Sequence, residues 1–431
     1  MTPKAALLIS FLTLACQAKA TVIPSDSTLS IMSVDNGGSK TSKDISPRWG
    51  YMIMAVPGKV LALDRWARNE VVTNDTWALA GELRYTPQPG DDDSFAEDYG
   101  YPTFSVGFRY SFNHGTKLTR VEKDYYSVLG NVATVYGKFS RPILRTHGFE
   151  LAYYLGTGVG YSHRKYDTGG EVNNEFIGSR WNIYFTAGLS ATYRIGPEWA
   201  VMTGVDFSHH SNGALERPNK GSNYLGPIIG LVYSPQKERA HEKAYHLGTE
   251  SPDDPRQGLY MELSAGLGAK TLLEDWLYTQ EHPDIPKYRT TKFASYGAFS
   301  LQTAVMFRYA RRWASGLGLD VFYGDYASKI RRLDDITGHS SERHSPWSVG
   351  VAMKHEVFYG RLSVRMGVGT YLYRHMGYIA KKREGPKWLY ERVGLFYSFP
   401  TLGHASIGFN VNAHLTKADF TELVVSYPIK L

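Results

Sequence analysis

The chain has 431 residues, 42% hydrophobic and 21% charged, with 31 Tyr and 43 Gly. That length allows two or three domains, and ordinary charge content with abundant aromatics excludes a disordered chain. A net charge of +7 without a block of Lys and Arg gives no footprint for nucleic acid, so no nucleic-acid partner is expected.

Residues 1–20 read as an export signal. Lys4 precedes the apolar stretch from Ala5 to Ala15, and Ala18-Lys19-Ala20 has the small-x-small form of a cleavage site. The one cysteine, Cys16, lies inside that segment, so a chain cut after Ala20 has no thiol or disulfide. Thr13 stands where a lipoprotein box needs a branched apolar residue, which disfavours lipidation of Cys16. Residues 21–48 then form an N-terminal periplasmic segment. No later stretch has the roughly 18 continuous apolar residues of a membrane helix, which leaves a soluble β-fold or a membrane barrel.

Strands follow in order near 49–56, 77–87, 103–112, 128–142, 149–162, 182–196, 199–211 and 223–234. The period is two: Phe104, Val106, Phe108, Tyr110 and Phe112 share one face, and Ser105, Gly107, Arg109 and Ser111 the other. Such alternation suits a sandwich as well as a barrel. Aromatic strand ends, strands of about ten residues and alternating short and long connections favour a transmembrane barrel. The connection 88–102, rich in Pro, Gly and Asp, breaks the loop rule. An exported N-terminus starts in the periplasm, so odd strands run outward and long loops face the exterior.

Residues 235–257 are charged and turn-rich and read as a polar linker. A second set of eight strands follows, near 258–269, 298–310, 313–324, 347–359, 361–373, 388–399, 405–416 and 420–431. The predicted fold class is all-β, an antiparallel transmembrane β-barrel in two eight-stranded units, 49–234 and 258–431; one sixteen-stranded barrel is the alternative. The second unit adds inward Glu262, Lys354, Glu356, Arg361, Arg365 and Arg392. In a narrow barrel these must pair with one another; in a wide one they line water.

One constellation suits chemistry. On the strand 199–211 the apolar row Trp199, Val201, Thr203, Val205, Phe207 ends in His209 and Ser211. A polar pair facing lipid is costly and points to function. The returning strand brings Asn223 back beside it on the same face. Ser211 is then the expected nucleophile, His209 the general base and Asn223 the group that orients the imidazole. His210 and Asp206 face the interior. In the second unit His414 and Thr416 face inward and Lys417 stands where the asparagine is needed, so that unit reads as non-catalytic.

His209-His210-Ser211-Asn212-Gly213 followed by Pro218-Asn219-Lys220-Gly221 resembles the motif of the outer-membrane lipid A 3-O-deacylases, relatives labelled acyloxyacyl hydrolases. The resemblance extends over roughly 49–234. It implies a serine esterase in the outer membrane of a Gram-negative bacterium, acting on lipid A of lipopolysaccharide in the outer leaflet. It also implies Asn219 and the backbone amide of Gly213 as candidate oxyanion donors. The sequence departs where the family carries a glutamate, at Asn223. An asparagine in that role is similar to outer-membrane phospholipase A, but Ala214-Leu215 replaces the Arg-Ser that helps place calcium there. No cofactor or metal is expected; calcium enters only on the phospholipase reading. A structural or transport barrel is the non-enzyme alternative, and a homodimer is left open.

Overall fold

The computed structural model describes residues 48–62, 65–120, 125–235, 253–281, 289–378, 388–414 and 417–431. The expected export signal, the segment that follows it as far as residue 47, most of the linker 235–257 and Thr416 lie outside the described residues.

The strands close into two separate antiparallel barrels of eight. The first runs β1 (Trp49–Val60), β2 (Thr76–Tyr85), β3 (Thr103–Phe112), β4 (Val132–Thr146), β5 (Phe149–Ser162), β6 (Trp181–Arg194), β7 (Trp199–Ser211) and β8 (Ser222–Tyr233). It shuts where β1 pairs with β8, from Tyr51 opposite Tyr233 to Val60 opposite Tyr224. The second runs β9 (Gly258–Thr271), β10 (Ser295–Ala310), β11 (Trp313–Gly324), β12 (His344–Tyr359), β13 (Leu362–Met376), β14 (Leu389–Phe399), β15 (Ala405–His414) and β16 (Lys417–Lys430). Its seam joins β9 to β16, from Tyr260 opposite Lys430 to Ala269 opposite Thr421. The single sixteen-stranded alternative is thereby excluded.

The alternation in the sequence becomes an inside and an outside. Val106 and Phe108 are exposed on the outer wall of β3 while Ser105, Arg109 and Ser111 are buried within. An eight-stranded interior has room for side chains alone, and among the small and apolar ones are buried charges. In the first barrel Arg109 pairs with Asp206 at 2.6 Å, and Asp206 also accepts from Tyr154 and Thr186. Lys138 and Tyr136 converge on Glu82. In the second, Arg365 bridges Glu262 at 3.0 Å and Glu356 at 2.9 Å, Lys354 meets Asp320 at 2.8 Å, and Arg392 meets Glu422. Charges buried this way persist only when paired and hydrogen-bonded. Arg361 is the exception among the expected inward residues. It sits in the turn between β12 and β13, exposed, and donates to the Tyr397 hydroxyl, because β13 begins at Leu362, one residue later than the alternation suggests.

The connection 88–102 is long for a reason at the other barrel. Its helix Ser94–Asp98 carries Phe95, and with Tyr99 this residue packs on Tyr260, Ala304, Met306, Ala314 and Phe358, inward-facing residues of the second barrel. The Tyr99 hydroxyl donates to the Phe358 carbonyl at 2.6 Å, Tyr359 donates to Asp93 at 2.6 Å, and Arg311 binds the Asp98 carboxylate at 2.6 Å. A piece of the first half therefore stoppers one mouth of the second. The barrels also meet at their opposite rims. Between the rims the apolar wall residues stay exposed, including Val159 and Leu189 on one barrel and Leu267 and Leu423 on the other, as lipid contact requires.

Candidate active site

The site is built on the last hairpin of the first barrel. Along β7 the burial alternates, with Trp199, Val201, Thr203 and Val205 exposed and Ala200, Met202, Asp206, Ser208 and His210 buried. His209 and Ser211 continue the outward row and are half-buried. The register sets Asn223 of β8 directly opposite His209, where cross-strand side chains on one face come together.

The three side chains form one hydrogen-bonded line. His209 Nδ1 lies 2.8 Å from Asn223 Oδ1, and His209 Nε2 lies 2.8 Å from Ser211 Oγ. An amide oxygen can only accept, so Nδ1 carries the proton and Nε2 offers its lone pair to the serine hydroxyl. That is the tautomer a general base needs. His210 takes no part: it points inward, 3.0 Å from Thr134 Oγ1 and close to the Tyr184 ring.

The loop 212–221 caps this line. Asn212 and Leu215 close a tight turn, with the Leu215 N–H donating to the Asn212 carbonyl at 3.2 Å. Its central residues Gly213 and Ala214 have φ of 63° and 71°, the left-handed pair of a type I′ turn. Asn219 Oδ1 accepts from the Asn212 N–H at 3.1 Å, which leaves the Asn219 NH2 as the donating end. Gly221, at φ 73°, lies so close over the His209 ring that a Cβ would collide with Cε1. Glu216 is exposed, 3.5 Å from Lys165. Among the described residues no cluster of His, Cys, Asp and Glu has metal-binding geometry.

Two supports of this loop are not visible in the motif. Lys220 pairs with Glu175 at 3.0 Å and with Glu70, and Arg120 reaches the same two carboxylates. Four connections are knotted together there, and the N–H groups of Lys220 and Gly221 also bond the carbonyls of Glu175 and Phe176. The second support comes from the second barrel, where Thr421 and Thr271 bond the carbonyls of Gly213 and Ala214. Neither the buried acids Glu70 and Glu175 nor the two threonines carry a sequence signal that ties them to this loop.

Comparison with known proteins agrees with the motif. Residues 94–232 match the family model of lipid A 3-O-deacylase (PagL), and residues 259–431 match that of the acyloxyacyl hydrolase C-terminal domain. No curated protein matches the chain. Among solved structures, the outer-membrane enzyme PagL is 15% identical, over 42% of this chain and 97% of its own, with a TM-score of 0.28. A designed transmembrane β-barrel is 20% identical over 43% and 93%, at 0.21. A mutant of the Rh. blastica porin is 11% identical over 88% and 100%, at 0.16. Scores that low establish no common shape, so the assignment rests on the two family models. With its strands closed into two barrels, the chain is similar to the lipid A 3-O-deacylase family over most of its first barrel, and its second barrel matches the acyloxyacyl hydrolase C-terminal domain.

Proposed function

We propose that the protein hydrolyses an ester-linked acyl chain of lipid A in the outer leaflet, with Ser211 as nucleophile, His209 as base and Asn223 as its orienting partner. The observation that carries this reading is the line Asn223, His209, Ser211, with 2.8 Å at each link, on the outward row of β7. A barrel enzyme whose substrate is a membrane lipid needs its nucleophile on that wall rather than in the lumen.

Ser211 Oγ attacks the ester carbonyl carbon while its proton passes to His209 Nε2. The oxyanion that forms is met by the Gly213 N–H and the Asn219 NH2. The carbon–oxygen ester bond then breaks, and the departing sugar hydroxyl takes the proton back from Nε2. Water attacks the acyl-serine with His209 again as base, releasing the fatty acid and restoring the serine. Every proton is handled by these side chains, so no cofactor or metal enters a step.

Asn223 in place of a carboxylate also favours a second reading, a phospholipase. Purified protein incubated with lipid A and with phospholipid, each with and without calcium, separates the two by the fatty acid released. Ser211→Ala is expected to reduce release from lipid A by at least about 10³-fold, with the compact gel mobility of the unboiled barrel retained. Undiminished release by this variant would refute the assignment. Release from neither lipid by the unaltered protein would leave a structural or transport barrel.

A further inference from the structure

Thr271 and Thr421 occupy unusual positions. Both belong to outward rows of the second barrel. Thr421 precedes Leu423, Val425 and Tyr427, which are all about half exposed, and Thr271 ends the row of Leu259, Leu263 and Leu267. A hydroxyl on such a row would face lipid without a partner, at a cost. Yet Thr421 is 4% exposed and Thr271 3%, because the loop 212–221 of the first barrel covers them.

The contact is made through hydrogen bonds to the loop's main chain. Thr421 Oγ1 donates to the Gly213 carbonyl at 2.8 Å. The Ala214 carbonyl accepts twice from Thr271, from its N–H at 2.8 Å and its hydroxyl at 3.0 Å. Arg217 returns the contact, donating to the Thr271 carbonyl at 3.1 Å from Nε and 3.0 Å from a terminal nitrogen. The turn so held contains Ala214 at positive φ, a conformation that costs a residue with a Cβ of order 1 kcal/mol or more. It persists where surrounding bonds over-determine it. A trans peptide is planar with its C=O and N–H opposed. Binding the Gly213 carbonyl to Thr421 therefore turns the Ala214 N–H, within that plane, away from Thr421, and the Gly213 N–H is its neighbour in the same turn.

We propose that Thr421 and Thr271 are positioning residues for the active site of the other barrel: the C-terminal barrel holds the turn that presents the oxyanion donors beside Ser211. The proposal rests on the reading of Ser211 as nucleophile. It assigns the second barrel a part in catalysis although its own His414 is turned inward, 2.9 Å from the Tyr371 hydroxyl.

The test uses the full chain and initial rates on lipid A. Thr421→Val keeps the volume and removes the hydroxyl. It is expected to lower kcat about ten- to hundredfold with KM within about twofold, and Thr421→Ser is expected to restore most of the rate. A merely structural role would lower yield or melting temperature without that rescue. Wild-type kcat in Thr421→Val, or equal impairment in Thr421→Ser, overturns the proposal. Should Thr421→Val fail to form a barrel, Arg217→Met probes the same clamp from the loop side. The same fall in kcat is expected there, and an unchanged kcat overturns the proposal. Ser211→Ala, run in parallel, separates the two claims, because activity surviving in that variant defeats the nucleophile assignment whatever Thr421 does.

Discussion

Asn223 decides how far the imidazole can be helped. Its amide oxygen holds the Nδ1 proton at 2.8 Å, which sets ring orientation and tautomer, but a neutral amide adds little to the stability of the imidazolium formed during attack. Removing the amide as Asn223→Ala frees the ring, and kcat on lipid A is expected to fall about 10²-fold. Asn223→Asp keeps the hydrogen bond and adds a compensating charge, so its kcat is expected to equal or exceed that of the unaltered chain. A fall in Asn223→Asp as deep as that of Asn223→Ala would mean that burying a carboxylate at the lipid rim outweighs the charge it supplies. At this scale the sequence is informative where parity decides. His209 and Ser211 are two residues apart on a strand and must share a face, and the hairpin register then brings in Asn223. Parity is silent on Thr421, whose partner lies 208 residues away in the chain and whose place on an apolar row reads as one more rim residue.

The hairpin of β7 and β8 with its loop is the smallest piece that contains the chemistry, and its shape depends on glycine where the chain crosses the imidazole. Gly221 combines positive φ with a Cβ position already filled by the His209 ring. Gly221→Ala is expected to push the ring off the line to Ser211 and lower kcat at least about tenfold, while the barrel still resists SDS before heating. Retention of full kcat would show that the ring has room to shift. The strands themselves follow from alternation, since an inward-small, outward-apolar wall repeats sixteen times and places most strand ends within a few residues of those read from sequence. The loops do not yield to the same logic. The ionic knot of Glu70, Glu175, Arg120 and Lys220 is assembled from segments far apart in sequence, and no periodicity marks them as neighbours.

Over the whole molecule the two barrels are joined at both rims and apart in between. At the stoppered rim Asp98 is 2% exposed and receives the Arg311 guanidinium on its side chain and that of Arg312 on its carbonyl. Removing one partner of a buried pair strands the other. Asp98→Ala is expected to cost about 2 kcal/mol, read as a lower unfolding midpoint for the C-terminal barrel with little change in the N-terminal one. An unaltered midpoint would mean that the aromatic packing of Phe95 and Tyr99 suffices. The duplication into two eight-stranded units is legible because both halves repeat the same strand spacing, and the narrow bore explains why the charges within are paired. The purpose of the connection 88–102 is hidden from a reading that takes each unit separately, since its apolar residues serve the other one.

That stopper constrains how such a chain can vary over evolutionary time. The first half encodes Phe95, Asp98 and Tyr99, and the second encodes the mouth that receives them, with Arg311, Arg312 and Phe358. Recombination that exchanged one half between related genes would separate cork from bottle and leave an aromatic, acidic peg facing a foreign opening. The halves therefore fit as a matched set at this mouth, although they look like two copies of one module.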